Sequence, residues 1–188
     1  MATFAHNPWF EKGVTFKQYV EAMQVNREEL TRVYEQLAFT DEDLAVWEDV
    51  AQRGWRGIVL TADWCGDAAL NVPIVQRIAE KSNIELRYLI RDENLELMDQ
   101  YLTNGTARAI PIFIFIDEAG EKQAVWGPRS PQVQELITSL RSGLPEKDAP
   151  DFAEKQKIVH RDFKQQITSD PAIWRTVIDS VKAALQRS

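Results

Sequence analysis

The sequence predicts an α/β fold in which a mixed β-sheet lies between helices, with helical extensions at both ends of the chain. An apolar, partly β-branched run at residues 58–62 is followed by helical spacing over 70–79, which indicates a buried strand leading into a helix. A second strand–helix pair follows, and then two strand patterns separated by a short turn. This order places parallel and antiparallel strands in one sheet.

The first fifty residues have the spacing of amphipathic helices. Thr15 opens a capping box, Asn26 begins a second helix, and Thr40 caps a third helix that ends at Gly54. Their apolar stripes need a surface to cover. We therefore expect these helices to pack on the sheet, in preference to the alternative of a separate partner-binding module.

Alternating apolar residues predict the next strand over 84–90, and Asp92 is expected to cap a helix over 93–102. An apolar run over 111–116 and a second run over 121–126 are separated by a turn that ends in a glycine. This pattern is typical of an antiparallel hairpin.

Ser130 or Pro131 begins the next predicted helix, which ends near Gly143. A charged linker with two prolines and two amphipathic helices complete the chain. We divide the chain into an N-terminal helical extension packed on the core (1–53), the α/β domain (54–143), and a linker with a C-terminal helical extension (144–188).

Composition excludes several classes of protein. The chain has 188 residues, of which 44% are apolar, and this argues against disorder. A net charge of −7 disfavours a nucleic-acid partner. No signal-peptide pattern and no membrane-length apolar run is present, so we expect a cytoplasmic protein without a membrane partner. A single cysteine excludes an internal disulfide framework.

That cysteine, Cys65, lies where a predicted strand ends and a helix begins. Unpaired N–H groups and the positive end of the helix dipole favour a thiolate there. Asp63 and Asp67 oppose this effect by disfavouring a second negative charge. Two interpretations stay open at this stage: Cys65 is a nucleophile, or it is a small buried hydrophobe.

The residues around this cysteine resemble the thioredoxin-like family. Trp64, Cys65 and Gly66 match the family's active-site motif, and Pro73 matches the proline that kinks the following helix. Residues 109–117 resemble the strand that opens with the family's cis-proline, which would be Pro111. The resemblance spans roughly residues 54–143 and implies a thioredoxin-like sheet flanked by helices.

Two departures from the family pattern bear on chemistry. The second cysteine of the motif is replaced by Ala68, and Val59 occupies the position of the buried aspartate that relays protons to that cysteine. A thioredoxin resolves its mixed disulfide with the second cysteine, so here an external thiol must do so.

The resemblance also implies which residues bind substrate beside the catalytic Cys65. Arg129 follows the close-approach glycine of the family and is a candidate partner for a substrate carboxylate, although a solvated loop arginine is an equal alternative. The implied substrate-binding residues are Trp64, Gly66, Asp67, Ile110, Pro111, Gly127 and Arg129.

No metal or cofactor site is expected. His6 and His160 lie near opposite ends of the chain, without metal-ligand spacing, and are predicted at the surface. The sequence therefore favours a monothiol redox protein that exchanges thiols and disulfides with a protein or small-molecule substrate, with a low-molecular-weight thiol as co-substrate. The alternative is a redox-silent binding or chaperone-like module that uses the cis-proline groove. Whether the chain turns over as an oxidoreductase, its substrate and its oligomeric state stay open.

Overall fold

A four-stranded mixed sheet forms the centre of residues 4–187, the part of the chain that the computed structural model describes. The order is β2-β1-β3-β4, with β1 parallel to β2 and antiparallel to β3, and with β3 antiparallel to β4. This is the predicted α/β architecture. The strands are β1 (Arg56–Thr61), β2 (Glu85–Ile90), β3 (Ile112–Ile116) and β4 (Lys122–Trp126).

Helices cover both faces of this sheet, and consequently every residue of β3 and all but the first of β1 are buried. Capping boxes begin α2 at Thr15 and α4 at Thr40, and the Ser130 side chain caps α7. Within the described range the helices are α1 (Asn7–Lys12), α2 (Phe16–Ala22), α3 (Arg27–Gln36), α4 (Asp41–Ala51), α5 (Gly66–Lys81), α6 (Leu95–Met98), α7 (Pro131–Ser142), α8 (Phe152–Ile167) and α9 (Pro171–Gln186).

The helices outside residues 54–143 share the core of the sheet domain. Helix α3 packs on α5, while α9 contacts α4, α5 and β4. Val33, Trp47 and Val177 are fully buried, and Trp174 is 2% exposed. The apolar stripes of these helices thus cover the sheet domain. Residues 1–3 and 188, the outermost parts of the predicted extensions, lie outside the described range.

The structure corrects two predictions. The helix expected over 93–102 is a 3-10 turn at Arg91–Glu93 followed by the single-turn α6, because Asn94 has an extended φ of −140° and its side chain donates to the Ile90 carbonyl oxygen. His6 is buried rather than exposed, since its Nδ1 lies 3.0 Å from the carbonyl oxygen of Gly120. Among residues 4–187, no helix has the length and apolar character that crossing a bilayer requires.

Candidate functional site

Cys65 occupies the N-cap position of α5, directly after the strand β1. The sulfur donates a weak hydrogen bond to the carbonyl oxygen of Ile110, 3.6 Å away. The residue is 8% exposed, so most of the thiol is covered by neighbouring groups. The thiol therefore lies at the predicted position and reaches solvent through a small opening.

Two proline bends lie near this end of the sheet, and the residue before the first of them, Ile110, accepts the hydrogen bond from the thiol. The Ile110–Pro111 and Gly127–Pro128 peptide bonds are both cis. Gly127 has a φ of +130°, and a Cβ placed on it would lie 2.2 Å from the carbonyl oxygen of Pro111. Only glycine permits this approach, which brings the loop after β4 against the bend before β3.

Arg129 has a different partner from the substrate carboxylate considered above. Its Nε and Nη2 atoms donate to the two carboxylate oxygens of Asp67 at 2.8 and 2.7 Å, and its Nη1 donates to Gln134 at 2.9 Å. Both side chains of the ion pair are largely buried. Bidentate pairing of this kind is the strongest geometry available to arginine, so Arg129 is not free to receive a substrate acid.

Trp64 and Gly66 flank the thiol on its solvent side. The Trp64 side chain is 55% exposed, and the Arg91 guanidinium lies 5.0 Å from its ring centroid. Gly66 faces α8, because a Cβ on Gly66 would lie 3.4 Å from the Cβ and Cγ atoms of Lys164. One flank of the thiol is thus an exposed aromatic ring, and the other is covered by the C-terminal extension.

Asn26 links these parts. Asn26 precedes α3, as the sequence predicts, but its side chain makes no cap hydrogen bond, and it has a left-handed φ of 63°. Its Nδ2 donates to the carbonyl oxygen of Asp63 at 2.9 Å, and its Oδ1 accepts from Nζ of Lys164 at 2.9 Å. Asn26 therefore ties the loop before α3 to the loop before Cys65 and to α8.

The local electrostatics keep the thiol protonated. Burial and the negative charge of Asp67 raise the pKa of Cys65 to about 11, against the opposing effects of the N–H groups of Ala68 and Asp67 and of the Arg129 charge. Val59 and Ala68 are both buried beside this site and carry no ionisable group. The thiolate is therefore a minor species at neutral pH.

A pocket of about 500 Å³ opens in front of Cys65. Sequence reasoning missed most of its lining, because those residues come from the loop before α3 and from α7 and α8, far away along the chain. The one local signal was the spacing of His160, Arg161 and Lys164 in α8. The residues missed are Val25, Asn26, Ile137, Arg141, His160, Arg161, Phe163 and Lys164.

The pocket is basic. Its lining contains four arginine or lysine side chains and a single carboxylate, that of Asp67. His160 is on the same side, and burial together with the charges of Arg141 and Arg129 lowers its pKa against the opposing charge of Asp67. Among residues 4–187, no group of three or more His, Cys, Asp or Glu side chains is arranged to hold a metal ion.

Comparison with known proteins identifies the family. The thioredoxin family model matches residues 13–141. Thioredoxin H9 of Arabidopsis thaliana is 28% identical over 105 residues, which are 53% of this chain and 73% of that protein. A protein of unknown function from Pseudomonas aeruginosa matches 95% of this chain and 99% of its own, with a TM-score of 0.64 at 16% identity. An HIV epitope scaffold matches 98% of this chain and 99% of its own, with a TM-score of 0.63 at 16% sequence identity. These two structures show that the fold, terminal helices included, recurs elsewhere, and the family match over most of the chain shows that this protein belongs to the thioredoxin family.

Proposed function

We propose that this protein performs monothiol thiol–disulfide exchange, with Cys65 as the nucleophile and an external thiol as the resolving partner. The observation that carries the proposal is the position of the sulfur. It lies at the N-cap of α5, 3.6 Å from the carbonyl oxygen of Ile110 beside cis-Pro111, and it opens into a pocket. Membership of the thioredoxin family supports this general chemistry.

The exchange proceeds in two balanced steps. The Cys65 thiol loses its proton, and the resulting thiolate attacks one sulfur of a disulfide, so that a mixed disulfide forms and the other half leaves as a thiolate that takes up a proton. The thiolate form of an external thiol then attacks the substrate sulfur of the mixed disulfide. A new disulfide forms between the external thiol and the substrate half, and Cys65 leaves as a thiolate that takes up a proton. A cytoplasmic setting suits this second step, because reduced small thiols are supplied there.

The raised pKa of Cys65 limits the rate of the first step. With a pKa of about 11, Cys65 is a thiolate in about one molecule in ten thousand at pH 7. Exchange should therefore accelerate about tenfold for each pH unit up to the region of the pKa, because the thiolate is the attacking species.

Mass spectrometry after incubation with hydroxyethyl disulfide at pH 9 tests the proposal. We expect a single adduct on the wild-type chain and none on the Cys65→Ser variant, which has no thiol. If iodoacetamide alkylates Cys65 while the disulfide leaves it unmodified, the exchange proposal is wrong.

A dithiol assay tests the monothiol part separately. Ala68 cannot resolve a mixed disulfide, so reduction of insulin with thioredoxin reductase as electron source should be negligible. Ala68→Cys should add little activity, because the buried Val59 offers no proton relay. Robust turnover by the wild-type chain would overturn the monothiol assignment.

The second candidate function is a redox-silent binding module that uses the groove at cis-Pro111. The observation that favours it is the burial of Cys65 together with its raised pKa, since both reduce the reactivity of the thiol. The adduct experiment separates the two candidates: a thiol that accepts an alkylating agent but no disulfide belongs to a binding module.

A further inference from the structure

Helix α8 closes one side of the Cys65 pocket. Phe163 anchors this helix with 5% exposure, and the aliphatic stem of Lys164 lies against Gly66, the first residue of α5. The Lys164 ammonium then reaches across to the loop before α3, where it contacts Asn26. The C-terminal extension is therefore a wall of the pocket and not only a cover for the core.

Helices α7 and α8 place two positively charged side chains beside the pocket. Arg141 of α7 and Arg161 of α8 are exposed residues that line the pocket. Within residues 4–187, the guanidinium group of Arg141 makes no hydrogen bond or ion pair. Arg161 contacts only its neighbour Asp162, at 3.2 Å and with both side chains well exposed. Such exposed pairs are weak, so both guanidinium groups are available to a ligand.

The charge is local to the pocket, since the chain as a whole carries −7. Apolar side chains also line the pocket, and they include Val25, Trp64 and Ile137. A volume of about 500 Å³ is in the range of small-molecule sites. A pocket with apolar walls, two available guanidinium groups and a sulfur in its lining suits a small ligand that carries both an acid and a sulfur.

We propose that the exchange partner of Cys65 is a low-molecular-weight disulfide bearing carboxylate groups, whose acids are held by Arg141 and Arg161. This inference rests on the proposed function and names its substrate class. The thiolate of Cys65 attacks the nearer sulfur, the S–S bond breaks, and the departing half leaves as a thiolate that takes up the proton given by Cys65. The carboxylate groups of the substrate bind the guanidinium groups of Arg141 and Arg161 and so orient the disulfide in the pocket, because guanidinium groups pair with carboxylates in a forked geometry.

Three disulfides of similar size and different charge test the inference. Mixed-disulfide formation at pH 9 and low salt should be fastest with 3,3′-dithiodipropionate, which is dianionic, intermediate with neutral hydroxyethyl disulfide, and slowest with dicationic cystamine. We expect at least about a tenfold span between the two charged probes, and added salt should reduce it.

Two variants locate the effect. Neutralising both side chains in the double variant Arg141→Gln, Arg161→Gln should bring the three rates close together. Lys122→Gln is the matched control for charge removal, because Lys122 is exposed and lies at the end of β4 away from Gly127. This control should keep the wild-type span, and circular dichroism should show that every variant is folded.

The outcomes separate the two proposals. Rates that agree within about twofold for all three probes on the wild-type chain overturn the inference and leave the exchange proposal standing. If no probe forms an adduct, the exchange proposal fails, and calorimetry of dithiodipropionate with the Cys65→Ala variant then decides the inference. Binding that is lost in the double arginine variant supports the carboxylate site, and an absence of binding refutes it.

Discussion

Asp67 is the residue whose replacement should change the thiol chemistry most. Its carboxylate is the second-largest cause, after burial, of the raised pKa of Cys65, and it also engages the Arg129 guanidinium through both oxygens. Asp67→Asn removes the negative charge and at the same time releases Arg129 from its partner. Both changes favour the thiolate, so the pKa of Cys65 should fall.

The size of the shift follows from the energy scale of ionisation. One pKa unit corresponds to about 1.4 kcal/mol, a modest value for one partly buried charge beside another. We therefore expect the pKa to fall from about 11 to about 10 or lower. The thiolate fraction at pH 8 then rises about tenfold, but the thiolate itself becomes about threefold less nucleophilic, because nucleophilicity falls with pKa. The net alkylation rate at pH 8 should rise only about threefold.

The midpoint of the pH–rate profile for iodoacetamide is therefore the quantity to measure. Asp63→Asn is the matched control, since Asp63 is also two residues from Cys65 but its carboxylate accepts from the backbone N–H of Gln24 instead. Arg129→Gln should move the midpoint upward, because it leaves the Asp67 charge uncompensated. This account of the thiol would be refuted if the midpoint in Asp67→Asn stays within about 0.3 pH units of the wild-type value. It would also be refuted if the midpoint moves in the same direction in Asp67→Asn and Arg129→Gln.

Two further predictions concern the terminal helices. Trp174→Ala should cost about 3–5 kcal/mol of unfolding free energy in urea titrations, since Trp174 is 2% exposed, whereas Ile158→Ala, at a 41% exposed position of α8, should cost less than about 1 kcal/mol. Burial alone would raise the pKa of Asp43, but hydrogen bonds from Arg175 and Lys182 lower it well below the usual range. The contribution of Asp43 to stability should therefore be complete above about pH 4 and be lost as the pH falls below it. Asp43→Asn should lose about 2–3 kcal/mol at pH 7 and show a weaker dependence on acid pH than the wild type. An unchanged stability at pH 7 would contradict this prediction.

The sequence alone predicted the features that depend on neighbouring residues, and those that the order of the strands limits to one arrangement. The capping boxes at Thr15 and Thr40 follow from residues three positions apart. The approach of Cys65, Pro111 and Gly127 follows from strand order, because the start of α5 and the loops flanking β3 and β4 share one edge of the sheet. For such features the spacing of residues carries most of the information.

The rest depends on contacts that have no local signature. The ion pair of Arg129 joins residues 62 positions apart, and nothing near Arg129 in the chain distinguishes Asp67 from any other carboxylate. The apolar stripe of α8 indicates that the helix packs, but not that Lys164 lies against Gly66. The wall of the pocket and its charge are therefore properties of the tertiary structure.

In the proposed exchange, the basic pocket would offset the low reactivity of the buried thiol. A thiol with a pKa of about 11 is reactive for only a small fraction of the time, so a brief collision with a disulfide at an open surface would rarely succeed. A pocket that retains its substrate keeps the disulfide beside the sulfur until a thiolate forms, and such proximity raises the effective concentration of the reactants. In this proposal Arg141 and Arg161 retain the substrate, whereas Asp67 and Arg129 are the charged side chains that shift the pKa of Cys65. If Cys65 exchanges disulfides as we propose, selection of the substrate by its charge would compensate for the low reactivity of the thiol and would restrict exchange to disulfides that the pocket holds.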